Sequence, residues 1–381
     1  MTHPPSQGSR PDRRQPFGLG ALTLLVEALA FVLLAGCAGA PIRKLEVLNR
    51  PLPSLDWRAF PGDRVQPPVG AAVTVLCTGD LMFGRHVEEV LAQLPSGDPF
   101  EAVKADLSAA DLAMGNLECV LGSPESRATW KGYDKILLPA SPKSAKLLKA
   151  AGYDFLTLDN NHSLDFGEAG FRSTVAALEA QGLGWHGAWN VADKFVEPWI
   201  TQVRGIRVAV LTYSDVSPPS FDAKPGKIGT APPMPSLLKR DIPHAKAECD
   251  ILIIQVHWGK EYTTEPTDRQ VALAHLMVDL GADAVVGHHP HLLQAFERYK
   301  GKPILYSLGN FLFDLTRPET HPTIALKLIF AAGQVTGASF APVWGGDIFP
   351  RPVRAGEWDA FPEWLKKPMR VQATPVPTPK P

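Results

Sequence analysis

Cysteine is scarce, with four in 381 residues. One of them, Cys37, closes an N-terminal apolar run, which leaves Cys77, Cys119 and Cys249 for the folded part of the chain. Three thiols cannot all pair with one another, and none stands in a Cys-x-x-Cys spacing, so neither a disulfide framework nor a thiolate zinc site is expected. Cys77 and Cys249 lie in or beside apolar strand-like runs, where a buried inert thiol is the ordinary outcome. Cys119, directly after Glu118, reads as a core residue or a neighbour of a site rather than a ligand. An excess of either charge is also missing: 38 Lys and Arg face 39 Asp and Glu. No global field therefore recruits nucleic acid, and no nucleic-acid partner is expected. No internal repeat at a fixed period occurs, so the chain is not a repeat array.

What is present starts with length and apolar content sufficient for one large domain or two ordinary ones. The 37 prolines crowd before residue 70 and after residue 345, where no helical or strand period is found, so those ends read as a 37–70 linker and a poorly ordered 345–381 tail. Arg10, Arg13 and Arg14 precede an apolar stretch from Phe17 to Gly36, broken only by Thr23 and Glu27, that ends in Leu34-Ala35-Gly36-Cys37. That ending is a lipobox, and residues 1–36 read as a lipoprotein signal peptide that leaves a lipidated Cys37 as a membrane anchor. An uncleaved transmembrane segment is the alternative, since about 20 apolar residues span a bilayer. Both readings export the domain, given the positive charge on the inner flank. The pair Arg13-Arg14 hints at twin-arginine export, but the residues after it fit that signal poorly.

From about residue 71 to 344, short β-branched runs alternate with amphipathic stretches, the pattern of a layered α/β domain. Strands are expected at Val73–Cys77, Leu112–Gly115, Phe155–Leu158, Val208–Tyr213, Ile251–Val256, Ala284–Val286 and Ile304–Leu308, with a closing strand over 323–330. They are mostly apolar on both faces, as strands of a covered sheet are. Helices are expected at Arg85–Leu94, Pro142–Ala151, Glu168–Gln181 and Asp268–Leu280.

Polar residues fall at the ends of these strands. Asp80 follows the first; Asn116 and Glu118 the second; Asn160, Asn161 and His162 the third. His257 ends the Ile251-Leu252-Ile253-Ile254-Gln255-Val256 run, His289 and His291 follow Ala284-Val285-Val286, and Asn310 follows Ile304–Gly309. Singly, an Asp or Asn there is a turn former or helix cap, and a lone His a hydrogen-bonded bystander. Jointly they can converge on the crevice beyond the strands' carboxyl ends, where α/β sheets bind ligands. Two carboxylates, an amide and three imidazoles form a mixed oxygen and nitrogen ligand set for one or two divalent ions such as Mn, Fe or Zn. The expected ligands are Asp80, Glu118, Asn161, His257, His289 and His291. Asn116, Asp165 and Asn310 are further candidates, and His288 falls outside. His162 and Arg85 are the candidate catalytic groups, Arg85 as a bidentate clamp on an anionic substrate or as a solvated helix residue. Asp165 is open between orienting His162 and capping the next helix. Trp185, His186 and Trp189 could wall a cleft.

The successive motifs Thr78-Gly79-Asp80-Leu81-Met82-Phe83-Gly84-Arg85, Gly115-Asn116-Leu117-Glu118, Asp159-Asn160-Asn161-His162-Ser163-Leu164-Asp165-Phe166-Gly167, His257-Trp258-Gly259-Lys260-Glu261-Tyr262, Gly287-His288-His289-Pro290-His291 and Ser307-Leu308-Gly309-Asn310-Phe311 resemble those of the CapA-type poly-γ-glutamate capsule-synthesis proteins. That family is similar in turn to the calcineurin-like metallophosphoesterases. The resemblance implies a four-layer α/β/β/α sandwich with a strand-end metal site. It implies Asp80 as a first-motif ligand, Asn161, His257 and His289 on one metal, His291 on its neighbour, and His162 as proton donor to a leaving group. It implies as partners an anionic polymer such as poly-γ-glutamate and other membrane proteins of capsule synthesis. Two positions depart from the phosphoesterase pattern: Met82 stands where a histidine is usual, and Asn116 replaces the bridging aspartate, leaving Glu118 as the nearest carboxylate. Three functions stay open: a metal-dependent hydrolase or transferase of capsule synthesis, a non-catalytic polymer export or anchoring factor, and a stand-alone exported phosphoesterase.

Overall fold

Period-two alternation within apolar strands gives each of them two buried faces, and the layers of the fold follow from it. In the strand Ile251–His257, Ile251 and Ile253 join one apolar cluster while Leu252, Ile254 and Val256 join another. The strand Ile206–Ser214 divides likewise, Val208 and Val210 against Ala209 and Leu211. Across the molecule, Val73, Val75 and Cys77 of the strand Ala72–Leu81 enter the cluster that holds Ile251 and Ile253, and Leu76 enters a third. The shared cluster is therefore the filling between two stacked sheets. The outer clusters are closed by helices: Ser144–Ala151 and Gly167–Glu179 bring Leu148, Phe171 and Leu178 to the first sheet, and Pro235–Glu248 and Asp268–Asp279 bring Leu238, Ile242, Leu273 and Met277 to the second. The result is the expected α/β/β/α sandwich in a computed structural model that describes residues 54–60 and 72–366, apart from 95, 123–135, 188, 191–195, 219–220, 222 and 224–225. Cys37 and the apolar run before it lie outside the described residues. Among the described residues no helix is long and apolar enough to cross a membrane.

The first sheet runs Arg58–Ala59, Gln334–Trp344, Pro322–Ala331, Ala72–Leu81, Leu112–Leu117, Phe155–Thr157 and Gly184–His186, with Asn310–Leu312 also against Ala72–Leu81. The second runs Phe296–Tyr299, Lys302–Leu305, Ala284–His288, Ile251–His257, Ile206–Ser214 and Trp199–Val203. Each has a parallel half, Ala72–Leu81 through Gly184–His186 in one and Ile206–Ser214 through Lys302–Leu305 in the other. Parallel strands share one carboxyl end, so polar residues that follow them gather at one pole of each sheet.

Several boundaries differ from the periodicity. The strand expected at Ile304–Leu308 ends at Leu305, and Leu308 makes only an isolated bridge to Leu293. The Ala72–Leu81 strand runs on through Asp80, with a register shift between Cys77 and Asp80. Gly79 stands in that shift, where a Cβ would come within 1.9 Å of the Gly309 carbonyl oxygen. All three cysteines of the folded part are buried free thiols.

The tail expected to be poorly ordered from residue 345 continues through the strand Arg351–Pro352 and the helix Glu363–Lys366. Its Phe361 and Leu365 are buried in the inter-sheet cluster, because that end of the sandwich has apolar surface still to cover. The linker behaves alike: Arg58–Ala59 adds an edge strand, and Phe60 stacks on Phe296 with ring centroids 3.8 Å apart. Phe60 also packs on Phe340 at 4.9 Å and is 1% exposed. Phe60→Ala is accordingly expected to cost about 3–5 kcal/mol of unfolding free energy, read from urea denaturation; a loss below about 1 kcal/mol would show that this segment does not anchor the sandwich.

Candidate metal centre

Both parallel halves deliver their strand ends to the same pole. Asp80 and Asn116 are register partners in the first sheet, His257 and His288 in the second, and Asn310 pairs opposite Asp80. The loop after Phe155–Thr157 bridges the two. Asp159 accepts hydrogen bonds from Thr212 Oγ1 at 2.7 Å and from the Ala231 amide at 3.2 Å. Asn160 donates to Asn116 Oδ1 and to the Leu117 carbonyl, at 3.0 and 2.9 Å. Asn161 Oδ1 lies 2.8 Å from His257 Nε2.

Glu118 is the centre of this pole. Its ligating oxygens lie within 4.8 Å of nitrogens of His257 and His289 in one set, and of Asp80 and His291 in another, all five residues buried. Glu118 Oε1 is 3.7 Å from His257 Nε2 and 3.9 Å from His291 Nε2, too far for hydrogen bonds. Neither oxygen of Glu118 has a hydrogen-bond partner, and neither ring nitrogen of His288 nor His289 Nδ1 has one. Orphaned buried polar atoms are costly, several kcal/mol for an ionised carboxylate, so a cluster of them aimed at one volume is what a cation site needs. The residues fit a divalent metal: hard carboxylate oxygens, an amide oxygen and imidazole nitrogens, with no thiolate. Glu118 belongs to both sets and would be the ligand they share.

Charge follows from burial. Burial pushes the Glu118 carboxyl well above its usual range, and the Asp80 carboxylate adds to the push. Burial opposes ionisation of Asp80 as well, but the imidazoles of His288 and His291 outweigh it and hold that carboxyl well below its usual range. His257 is driven well down by burial and the neighbouring His289, and His289 by burial to about 3. Burial acts downward on His291 too, yet Glu118 and Asp80 overcome it and raise the imidazole to about 9.

The other candidates take supporting places. His288, expected outside the site, lies with Nδ1 3.3 Å from Asp80 Oδ1, off the angle of a hydrogen bond; the strand runs one residue further than its apolar core, which turns this side chain inward. Asn116 is spent behind the ligands: its Nδ2 donates to Asp80 Oδ1 at 2.8 Å and faces His257 Nδ1 at 3.2 Å. Asn310 Oδ1 sits 2.8 Å from His291 Nδ1 and orients that ring. Asp165 is no ligand, because its carboxylate holds His162 Nδ1 at 3.0 and 3.2 Å and accepts from the Leu138 amide at 2.7 Å. Arg85 is paired with Asp314, one bond being Nε to Oδ2 at 3.2 Å, so it is not an unengaged clamp. Met82 is buried in the apolar layer beneath the helices, its sulfur accepting from the Gly84 amide. His186 does not wall a cleft: it is fully buried between Thr212 Oγ1 and the Glu197 carbonyl. Trp185 packs on Phe171, and the Trp189 side chain lies outside the described residues.

The Gly-His-His-Pro-His turn is bent to serve the pole. His289 has φ +95° and His291 φ +57°, left-handed values that L residues rarely adopt. They let successive imidazoles face one volume rather than alternate across it.

Such a pole on two stacked, parallel-cored sheets defines a mixed α/β protein organised around a buried candidate metal centre. More narrowly, the chain belongs to the family described as bacterial capsule synthesis protein PGA_cap, whose family model matches residues 74–315. It is 39% identical over 279 residues to the PGA biosynthesis protein CapA of Bacillus subtilis, covering 72% of each chain. It is 36% identical over 246 residues to the capsule biosynthesis protein CapA of Bacillus anthracis, covering 64% of this chain and 60% of that one. Among solved structures, a hypothetical protein from Thermus thermophilus aligns at TM-score 0.46 and 20% identity, over 74% of this chain and all (100%) of that one. A putative 5'-nucleotidase from Staphylococcus aureus aligns at 0.45 and 13%, over 76% and 57%.

Coordination requires the ionised carboxylate and neutral imidazole. At pH 7 His291 holds a proton that a cation must displace, whereas His257 and His289 are already neutral and Asp80 already ionised. Loading with Mn²⁺ or Zn²⁺ at pH 7 should therefore release about one proton, from His291, and affinity should rise with pH until His291 is neutral, above about 9. Calorimetry in buffers of different ionisation enthalpy measures this; heats independent of the buffer contradict it.

Proposed function

We propose that the chain is an exported, membrane-anchored protein of capsule-polymer synthesis, a metal-dependent hydrolase or transferase acting on an anionic polymer such as poly-γ-glutamate. The observation that carries the catalytic half is Glu118, a sealed carboxyl with no hydrogen-bond donor that faces both ligand sets. Membership of the capsule family and the names of its Bacillus relatives carry the substrate class. The lipobox at Cys37 carries the anchor.

Asp80, Glu118, Asn161, His257, His289 and His291 would hold a divalent ion, which would lower the pKa of a bound water and polarise a carbonyl or phosphoryl oxygen. The chain's own residues do the rest. His162 is the proton donor: the Asp165 carboxylate accepts from its Nδ1 and favours the imidazolium, whose Nε2 proton is the one to be transferred. Asn160 Oδ1 accepts from the His162 amide at 3.0 Å, fixing this residue one step along the chain from Asn161. Asn116 sets the carboxylate of Asp80 and the ring of His257 at once.

The burial of Met82 and the full engagement of the Asn116 amide favour a second reading, an accessory protein that exports or anchors the polymer without turnover. A stand-alone phosphoesterase is the third. Purified full-length protein, assayed for metal content and for cleavage of a γ-glutamyl amide and a phosphodiester, separates them. On the catalytic reading, metal is stoichiometric, Glu118→Gln and His289→Ala lose it, and His162→Ala keeps it while turnover falls about 10²- to 10⁴-fold. A stable, metal-free protein refutes the metal centre, metal with polymer binding but no turnover selects the accessory role, and phosphodiester cleavage alone selects the third. Cys37→Ser should move the protein from the membrane to the soluble fraction; persistence in the membrane identifies the apolar run itself as the anchor.

A further inference from the structure

Two arginine–aromatic pairs flank His291, and they differ in charge. On one side the Phe313 ring meets the imidazole edge-on at 5.0 Å, and the Arg85 guanidinium lies 5.6 Å from the centre of that ring. Arg85 is neutralised there by Asp314, which also accepts from the His86 amide at 3.3 Å. On the other side Tyr262 lies 6.0 Å from the imidazole, and the Arg317 guanidinium lies 4.1 Å from the Tyr262 ring centre. His291 is buried, Tyr262 half-buried and Arg317 exposed, so the three lead from the pole to solvent. Among the described residues no carboxylate pairs with Arg317.

The backbone holds this second pair in place. Thr320 donates to the Arg317 carbonyl through both its amide and its hydroxyl, at 2.9 and 2.7 Å. Tyr262, at φ +57°, donates its amide to the Pro290 carbonyl at 2.9 Å, which ties the ring to the turn that carries His289 and His291. A guanidinium stacked on a ring keeps its N–H fork in one plane and open to a carboxylate.

An acidic polymer approaching this pole meets the carboxylates of Asp80 and Glu118, which repel it unless a cation stands in the way. We propose that Arg317, stacked on Tyr262, is the anion-recognising cation of the site and takes a carboxylate of the polymer next to the unit lying at His291. The proposal rests on the polymer reading above. Arg85, engaged by Asp314, shapes the opposite wall.

The test is binding of a fluorescent γ-linked glutamate oligomer to the full-length, metal-loaded protein, followed by anisotropy, with metal content measured for each variant. The expected result is that Arg317→Ala weakens binding about tenfold or more, Arg317→Lys and Tyr262→Ala weaken it about threefold, and Tyr262→Phe leaves it unchanged. Metal content stays constant throughout. The same oligomer with its carboxylates amidated should bind wild type and Arg317→Ala alike. Wild-type binding that Arg317→Ala does not alter, or that Arg85→Ala abolishes instead, overturns the assignment and leaves the polymer reading standing. A wild-type protein that ignores the oligomer overturns both.

Discussion

A carboxyl sealed from water, with no hydrogen-bond donor on either oxygen, is the constraint from which the rest of the pole follows. Glu118 can be tolerated there in two ways, as a neutral acid or as a ligand to a cation. In the metal-free chain burial favours the first, pushing the carboxyl upward. The surrounding residues are arranged for the second, because a neutral acid needs neither His257 nor His291 at 3.7 and 3.9 Å. Neighbours of Glu118 make sense as supports for that choice. Asn116 Nδ2 lies within hydrogen-bond reach of both Asp80 Oδ1 and His257 Nδ1, and Asn310 sits against His291 Nδ1, leaving its other nitrogen toward the carboxyl.

Stacking two sheets is what makes such a carboxyl tolerable in a folded chain. Neither sheet alone carries the ligand set: Asp80 and Glu118 come from the first, His257, His289 and His291 from the second, and Asn161 from the loop that crosses between them. Burial of the apolar filling, at about 1.5–3 kcal/mol for each large side chain, supplies the free energy that holds the two poles together. Within each sheet the backbones at this pole also come close, at Gly79 against Gly309 in the first and at Gly287 in the second, where a Cβ would stand 1.9 Å from the Tyr306 carbonyl oxygen. Backbone strain at His289 and His291 is a further cost concentrated at the same place.

Much of this is legible in the sequence, for identifiable reasons. Inner parallel strands are apolar on both faces, so Ile251–His257 and Ala284–His288 stand out as runs, and the polar residue that ends each run marks the pole. The edge strands Trp199–Val203 and Phe296–Tyr299, and Gln334–Trp344 next to the short edge strand Arg58–Ala59, escape the periodicity, since each has a half-exposed part that lacks such a run. Which imidazole faces the site is only partly legible. His288 lies outside both ligand sets, as its place in the pattern suggests, but its approach to Asp80 depends on where the strand stops, and a left-handed residue at His289 breaks any alternation count. Engagement of Arg85 by Asp314 spans 229 positions and leaves no local signal. The packing of Phe60, Phe361 and Leu365 is hidden by the prolines around them, which disguise short anchors as linker.

An amide rather than a carboxylate at Asn116 has a consequence in charge. With neutral imidazoles and amides, Asp80 and Glu118 contribute two negative charges, which balance one divalent cation in a buried volume. A second divalent ion leaves two positive charges uncompensated where no solvent screens them, a large penalty at low dielectric. The missing charge has to come from outside the ligand set, from hydroxide or from an anionic group on the substrate. On this charge balance, a second ion at the pole would need an added anion to offset it.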